Sequence, residues 1–156
     1  TYKYSCPFKI SKMDSYEQFY HDVKNAAEAF TKIDKKEVIR IISHLDADGI
    51  SAASLIVKCL TNDGRKYSLS IVQQIKRELL EELSKESYKY VIFTDLGSGV
   101  LTDIGELFKE KKVFILDHHE PEKLEARENI FFVNPHKFGI DGGLEVSGAG
   151  MAYLFA

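Results

Sequence analysis

Five compact apolar runs, "EVIRIISH", "KYSLSIV", "YKYVIFTD", "KKVFILDHH" and "ENIFFVNP", punctuate the chain. Between the first four lie "ISAASLIVKCL", "IKRELLEELSKE" and "VLTDIGELFKE", which have the spacing of helices. Short strands alternating with helices in this way form a parallel sheet covered on both faces and joined by right-handed crossovers. The expected fold is α/β, a mostly parallel sheet of about five strands with helices on both faces. A single core suffices for 156 residues, and no repeat, linker or low-complexity segment divides them.

Ahead of the first strand, "SYEQFYHDVKNAAEAFTKI" carries a helical stripe of Tyr16, Phe19, Tyr20, Val23, Ala27 and Phe30. Ser15 and Gln18 have the spacing of a capping box at its start. In the next helix Ile50, Ala53, Ile56 or Val57, and Leu60 share one face, and "NDG" turns the chain out of it.

Open α/β sheets bind ligands beyond the carboxyl ends of their strands. There this chain concentrates its polar groups: "SHLDADG" after the first strand, "TDLGSG" after the third and "DHH" after the fourth. His44, Asp46 and Asp48 alternate, so extended backbone would point them the same way, with the turn before Gly49 rotating Asp48. One ion would take His44 and Asp46 while Asp48 faces a second. The bland alternative is a helix-capping loop with Asp48 or Ser51 as the cap. A calcium EF-hand fails, because its sixth and twelfth positions would be Ser51 and Val57.

Asp95 either caps the turn after its strand or bridges two cations about 3.5–4 Å apart. Asp117, His118 and His119 divide most simply into a His118 ligand, a His119 facing phosphate, and an Asp117 that accepts a ring N–H. His21, on a helix, and His136, in a loop, read as ordinary polar residues. Ser147 caps a final helix whose first turn, with Gly148, would face an anion; a flexible glycine-rich loop explains the glycines equally well. Asp141 in "IDGG" reads as a turn. The glycines of "GSG" lack the third member of a dinucleotide fingerprint, and no Gly-Lys-Ser/Thr phosphate loop is present.

A net charge of −3 argues against a generic basic nucleic-acid coat, although two divalent ions would bring the local balance near neutral. Cys6 and Cys59 form no Cys-x-x-Cys unit and suit a reducing, cytoplasmic setting. No signal peptide or bilayer-length apolar stretch is found, so no membrane role is expected.

Together "SHLDADG", "TDLGSG", "LDHH" and "NP…SGAG" resemble the DHH phosphoesterase family, particularly its RecJ-like nucleases of the archaeal type. The resemblance runs from about Glu37 to the C-terminus. It implies two Mn²⁺ or Mg²⁺ ions, one held by the positions of His44 and Asp46, the second helped by Asp48 and His118, with Asp95 bridging and His119 beside the scissile phosphate. Histidine at position 44, where bacterial RecJ proteins usually have aspartate, looks like the archaeal branch and pyrophosphatase relatives. The resemblance also implies that residues 1–156 are the catalytic domain alone. A fourth-motif aspartate and a second substrate-binding domain would lie beyond them.

The implied activity is exonucleolytic hydrolysis of single-stranded DNA or RNA in replication and repair. A docking role on the archaeal GINS complex fits the same family. The alternatives are a phosphoesterase or pyrophosphatase for small molecules, and a replication scaffold that binds the helicase complex.

Overall fold

The computed structural model describes residues 12–123 and 127–156; Cys6 and the rest of the opening segment lie outside the described residues. The strands are β1 (Ile39–His44), β2 (Tyr67–Val72), β3 (Tyr90–Thr94), β4 (Lys112–Leu116) and β5 (Ile130–Val133). The helices are α1 (Lys12–Thr31), α2 (Ala47–Asn62), α3 (Arg77–Lys85), α4 (Leu101–Leu107) and α5 (Gly148–Phe155). The sheet order is β2-β1-β3-β4-β5, and every pairing is parallel.

Because side chains alternate along a strand, β1 sends Ile39 and Ile41 to one layer and Ile42 to the other. In the same way β4 divides Phe114 and Leu116 from Val113 and Ile115. The first layer closes with Phe19, Val23, Ala26 and Phe30 of α1, Ala52, Ile56 and Leu60 of α2, and Met151, Ala152 and Phe155 of α5. The second closes with Leu80 and Leu83 of α3 and Leu101 and Ile104 of α4. Each fully buried Leu, Ile or Phe removed from water contributes about 1.5–3 kcal/mol, which makes this two-layer burial the main stabilising term.

Three local expectations change. Helix α1 begins at Lys12, so Ser15 lies inside the helix and is not its cap. Tyr16 and Tyr20 are 40% and 60% exposed, and Ala26 faces the core instead. Ile50 is 50% exposed; α2 packs through Gly49, Ala52, Ala53, Ile56 and Leu60.

Strand order reverses between β1 and β3, the central strands. From β1 the chain crosses through α2 on one face to β2; from β3 it crosses through α4 on the other face to β4. Loops leaving in opposite directions open a crevice at this switch point, where doubly wound sheets bind ligands. His44 ends β1 and Asp95 follows β3, so both stand at its mouth. No helix among the described residues is long and apolar enough to cross a membrane.

Candidate metal centre

Asp95 is the only non-glycine among the described residues with positive φ, at 60°. Aspartate tolerates this left-handed conformation better than most residues, and the turn carries its carboxylate over the end of the sheet. The residue is 1% exposed, yet neither carboxylate oxygen accepts a well-formed hydrogen bond. A buried carboxylate without donors is costly unless a cation meets it. Its two oxygens diverge: Oδ2 lies 3.9 Å from His44 Nδ1, and Oδ1 lies 3.2 Å from His118 Nε2.

On the first side, His44 Nε2 donates to the Gln73 carbonyl at 3.0 Å. A carbonyl only accepts, so the neutral ring has its bare lone pair at Nδ1. That atom sits 2.9 Å from Asp46 Oδ2 without a well-formed hydrogen bond, and it is buried. Asp46 Oδ1 accepts Gly49 N–H at 2.8 Å and caps α2. This bond holds the Asp46 carboxyl below its ordinary range, against the opposing effect of burial. The α2 cap is therefore Asp46, not Asp48 or Ser51, and its second oxygen remains directed at the cluster.

On the second side, His118 Nδ1 donates to the Gly142 carbonyl at 2.6 Å, which turns Nε2 toward Asp95 and Asp48 Oδ2, the latter at 3.5 Å. The Asp95 contact raises the His118 imidazole to about 9 despite burial. Burial is the main cause that pushes Asp95 up, with Asp48 and Asp46 adding repulsion and His118 opposing. Carboxylates that favour a charged imidazole are the electrostatics that favour a divalent cation.

Asp48 has a further task. Its oxygens accept Gly148 N–H at 2.7 Å and Ala149 N–H at 2.8 Å, at the start of α5. Ser147 caps the same helix, its Oγ accepting Gly150 N–H at 3.1 Å. The anion at this helix end is thus the chain's own carboxylate, and the Gly148 amide is already taken.

Asp117 is 1% exposed and saturated with donors. Oδ1 takes His119 Nδ1–H at 2.7 Å and His118 N–H at 2.8 Å, and Oδ2 takes Ser98 N–H at 2.8 Å. Burial acts to raise its carboxyl, but these bonds outweigh it and the net shift is downward. The same Asp117 contact raises His119, whose side chain is 58% exposed. Because β4 ends at Leu116, the two histidines are free of strand alternation, and their rings lie 4.4 Å apart on one side.

The structure therefore brings together His44, Asp46 and Asp95 as one potential metal group, and Asp95, Asp117, His118 and His119 as a second. Asp48 adjoins His118 but bonds α5. His136 donates to the His118 carbonyl at 3.1 Å, His21 remains on the α1 surface, and Asp141 forms a turn with Gly143. Three glycines leave room for the cluster: a Cβ on Gly49, Gly142 or Gly148 would run into His44, His118 or Asp95 respectively. The orienting carbonyls of Gln73 and Gly142 are backbone groups, which residue type does not reveal.

A sequence model of the DHH family, N-terminal domain, matches residues 38–156. An uncharacterized protein of Methanocaldococcus jannaschii is 36% identical over 141 residues, covering 83% of this chain and 32% of that relative. RecJ from Thermus thermophilus in complex with Mn²⁺ superposes with a TM-score of 0.68 at 23% identity, over 86% of this chain and 20% of that one. An exonuclease RecJ bound to manganese gives 0.65 at 22% identity, over 88% and 36%. CDC45 from Entamoeba histolytica gives 0.59 at 21% identity, over 91% and 29%. At these identities the structural likeness is one of fold.

Proposed function

The chain belongs to the DHH family, and from that membership we propose that it carries a two-metal centre for phosphodiester hydrolysis on single-stranded DNA or RNA. The observation that carries this reading is Asp95: buried, without a well-formed hydrogen bond, its oxygens directed at two different imidazoles. His44 Nδ1 and Asp46 Oδ2 complete one side. His118 Nε2 completes the other, with Asp48 beside it. The donor set of imidazole and carboxylate suits Mn²⁺ or Mg²⁺, with Mn²⁺ favoured by the two nitrogens. Such ions supply charge against phosphoryl oxygens and make water acidic enough to attack at neutral pH.

The chain's own residues orient the reaction. Asp117 fixes His119 with Nδ1–H inward, so Nε2 is presented for a hydrogen bond to phosphate or for proton transfer. Asp48 ties the centre to α5. The fold shared with two manganese-bound RecJ structures supports a RecJ-like nuclease, and the archaeal type is proposed from His44. The likeness to CDC45 is one of fold and fits the scaffold alternative, and a docking role on GINS rests on the family resemblance alone; the intact cluster of acids and histidines favours the enzyme. The chain spans 20–36% of these structures, and we place a fourth-motif aspartate and the surface that grips substrate in sequence beyond residue 156.

The test is an assay of the longer protein carrying this domain on end-labelled single-stranded DNA and RNA with Mn²⁺. Nucleotides should be released from one end, and chelation should stop it. Hydrolysis of pyrophosphate or small phosphodiesters without action on either polymer would replace the nuclease by its small-molecule alternative. A protein that loads Mn²⁺ and hydrolyses none of these would contradict the enzymatic reading.

A further inference from the structure

Resting on the phosphoesterase reading, we propose that Asn134 is a positioning residue that locks His119, and the backbone of both histidines, into the crevice. Asn134 is 0% exposed and uses both side-chain heteroatoms here. Its Nδ2 donates to the His119 carbonyl at 2.9 Å and to Ser98 Oγ at 2.9 Å. Its Oδ1 accepts His136 N–H at 2.9 Å. Only this orientation of the amide satisfies a carbonyl and an N–H at once, so the arrangement of nitrogen and oxygen is fixed by its neighbours.

Two branches leave this amide. Through Ser98 it reaches Asp117, since Ser98 N–H donates to Asp117 Oδ2 and Asp117 Oδ1 holds His119 Nδ1–H. Through His136 it reaches the preceding carbonyl, since His136 Nε2 donates to His118 O at 3.1 Å. Consecutive carbonyls of His118 and His119 are thus gripped by the turn that follows β5. A segment just beyond a strand has no ladder to hold it, and this clamp supplies what the ladder no longer does. The first metal side, at His44 and Asp46, shares none of these bonds.

The variant that isolates the role is Asn134→Asp, which keeps volume and the acceptor for His136 but replaces the donor with oxygen. Four measurements follow on the parent and the variant: imidazole ¹H–¹⁵N spectra with Mg²⁺ bound, Mn²⁺ affinity, melting temperature, and kcat on single-stranded DNA. The expected result is a displaced His119 Nδ1–H resonance and a kcat lower by about tenfold or more, with Mn²⁺ affinity unchanged. An unchanged His119 resonance would overturn the proposal. So would a variant in which resonance, Mn²⁺ affinity and melting temperature all fall together, because that is general loosening. Should Asn134→Asp fail to fold, Ser98→Ala removes the hydroxyl that Asn134 grips and that also reaches Asp117; it must shift the same resonance, and no shift refutes the clamp. If the parent cleaves no phosphodiester, the proposed function fails, while the imidazole spectra still decide the role of Asn134.

Discussion

Asp95 concentrates the tension in this site into one residue. Burial and the neighbouring carboxylates raise its pKa, so its charge destabilises the fold when no cation meets it. Asp95→Asn removes that charge, keeps the shape and suits the left-handed backbone. Above about pH 9, where His118 is neutral, the variant treated with chelator should therefore be at least as stable as the parent, by up to about 1 kcal/mol in urea melts, while binding Mn²⁺ far more weakly. A variant destabilised in chelator that still bound Mn²⁺ normally would show that Asp95 is a structural cap. His118 gives a second expectation. Its pKa of about 9 means that Mn²⁺ must displace a proton at neutral pH. Apparent affinity should rise by up to about tenfold per pH unit below 9 and level off above it. Calorimetry in buffers of different ionisation enthalpy would count the released proton, and a pH-independent Kd would contradict the assignment. With chelator present the sign is reversed: the raised pKa stabilises the fold fully below about 6.5, and that contribution is lost as pH climbs through about 9.

Elements explain why some residues carry two roles. Asp46 caps α2 with one oxygen and faces His44 with the other. Asp46→Asn should retain the cap, since asparagine is as good at that position, while weakening Mn²⁺ binding; Asp46→Ala should lose both, with about 1 kcal/mol of stability. Equal stability of the two variants, measured by chemical denaturation, would separate Asp46 from the cap. The polar residues at strand ends are legible in the sequence because continuous apolar runs mark β1, β3 and β4 and the acids and histidines follow directly. The capping role of Asp46 is not, because a short Asp-rich loop offers several side chains that can reach the same amides. The buried face of α1 is blurred for a related reason: Tyr16 and Tyr20 match the apolar period but stand toward solvent.

At the scale of the molecule, the site follows from the reversal of strand order between β1 and β3, which sequence alternation implied but did not order. The links that complete it join distant segments: Asp48 to α5 across 100 residues, and Ser98 to Asn134 across 36. Such contacts have no local pattern, and the carbonyls of Gln73 and Gly142 have no residue identity at all. The central claim is that the oxygens of Asp95 divide between two cations. Diffraction from crystals grown with Mn²⁺, recorded at the manganese edge, tests it directly. Two anomalous peaks about 3.5–4 Å apart should flank Asp95, one against His44 and Asp46 and the other against His118. A single peak, or two peaks of which neither contacts Asp95, would contradict it.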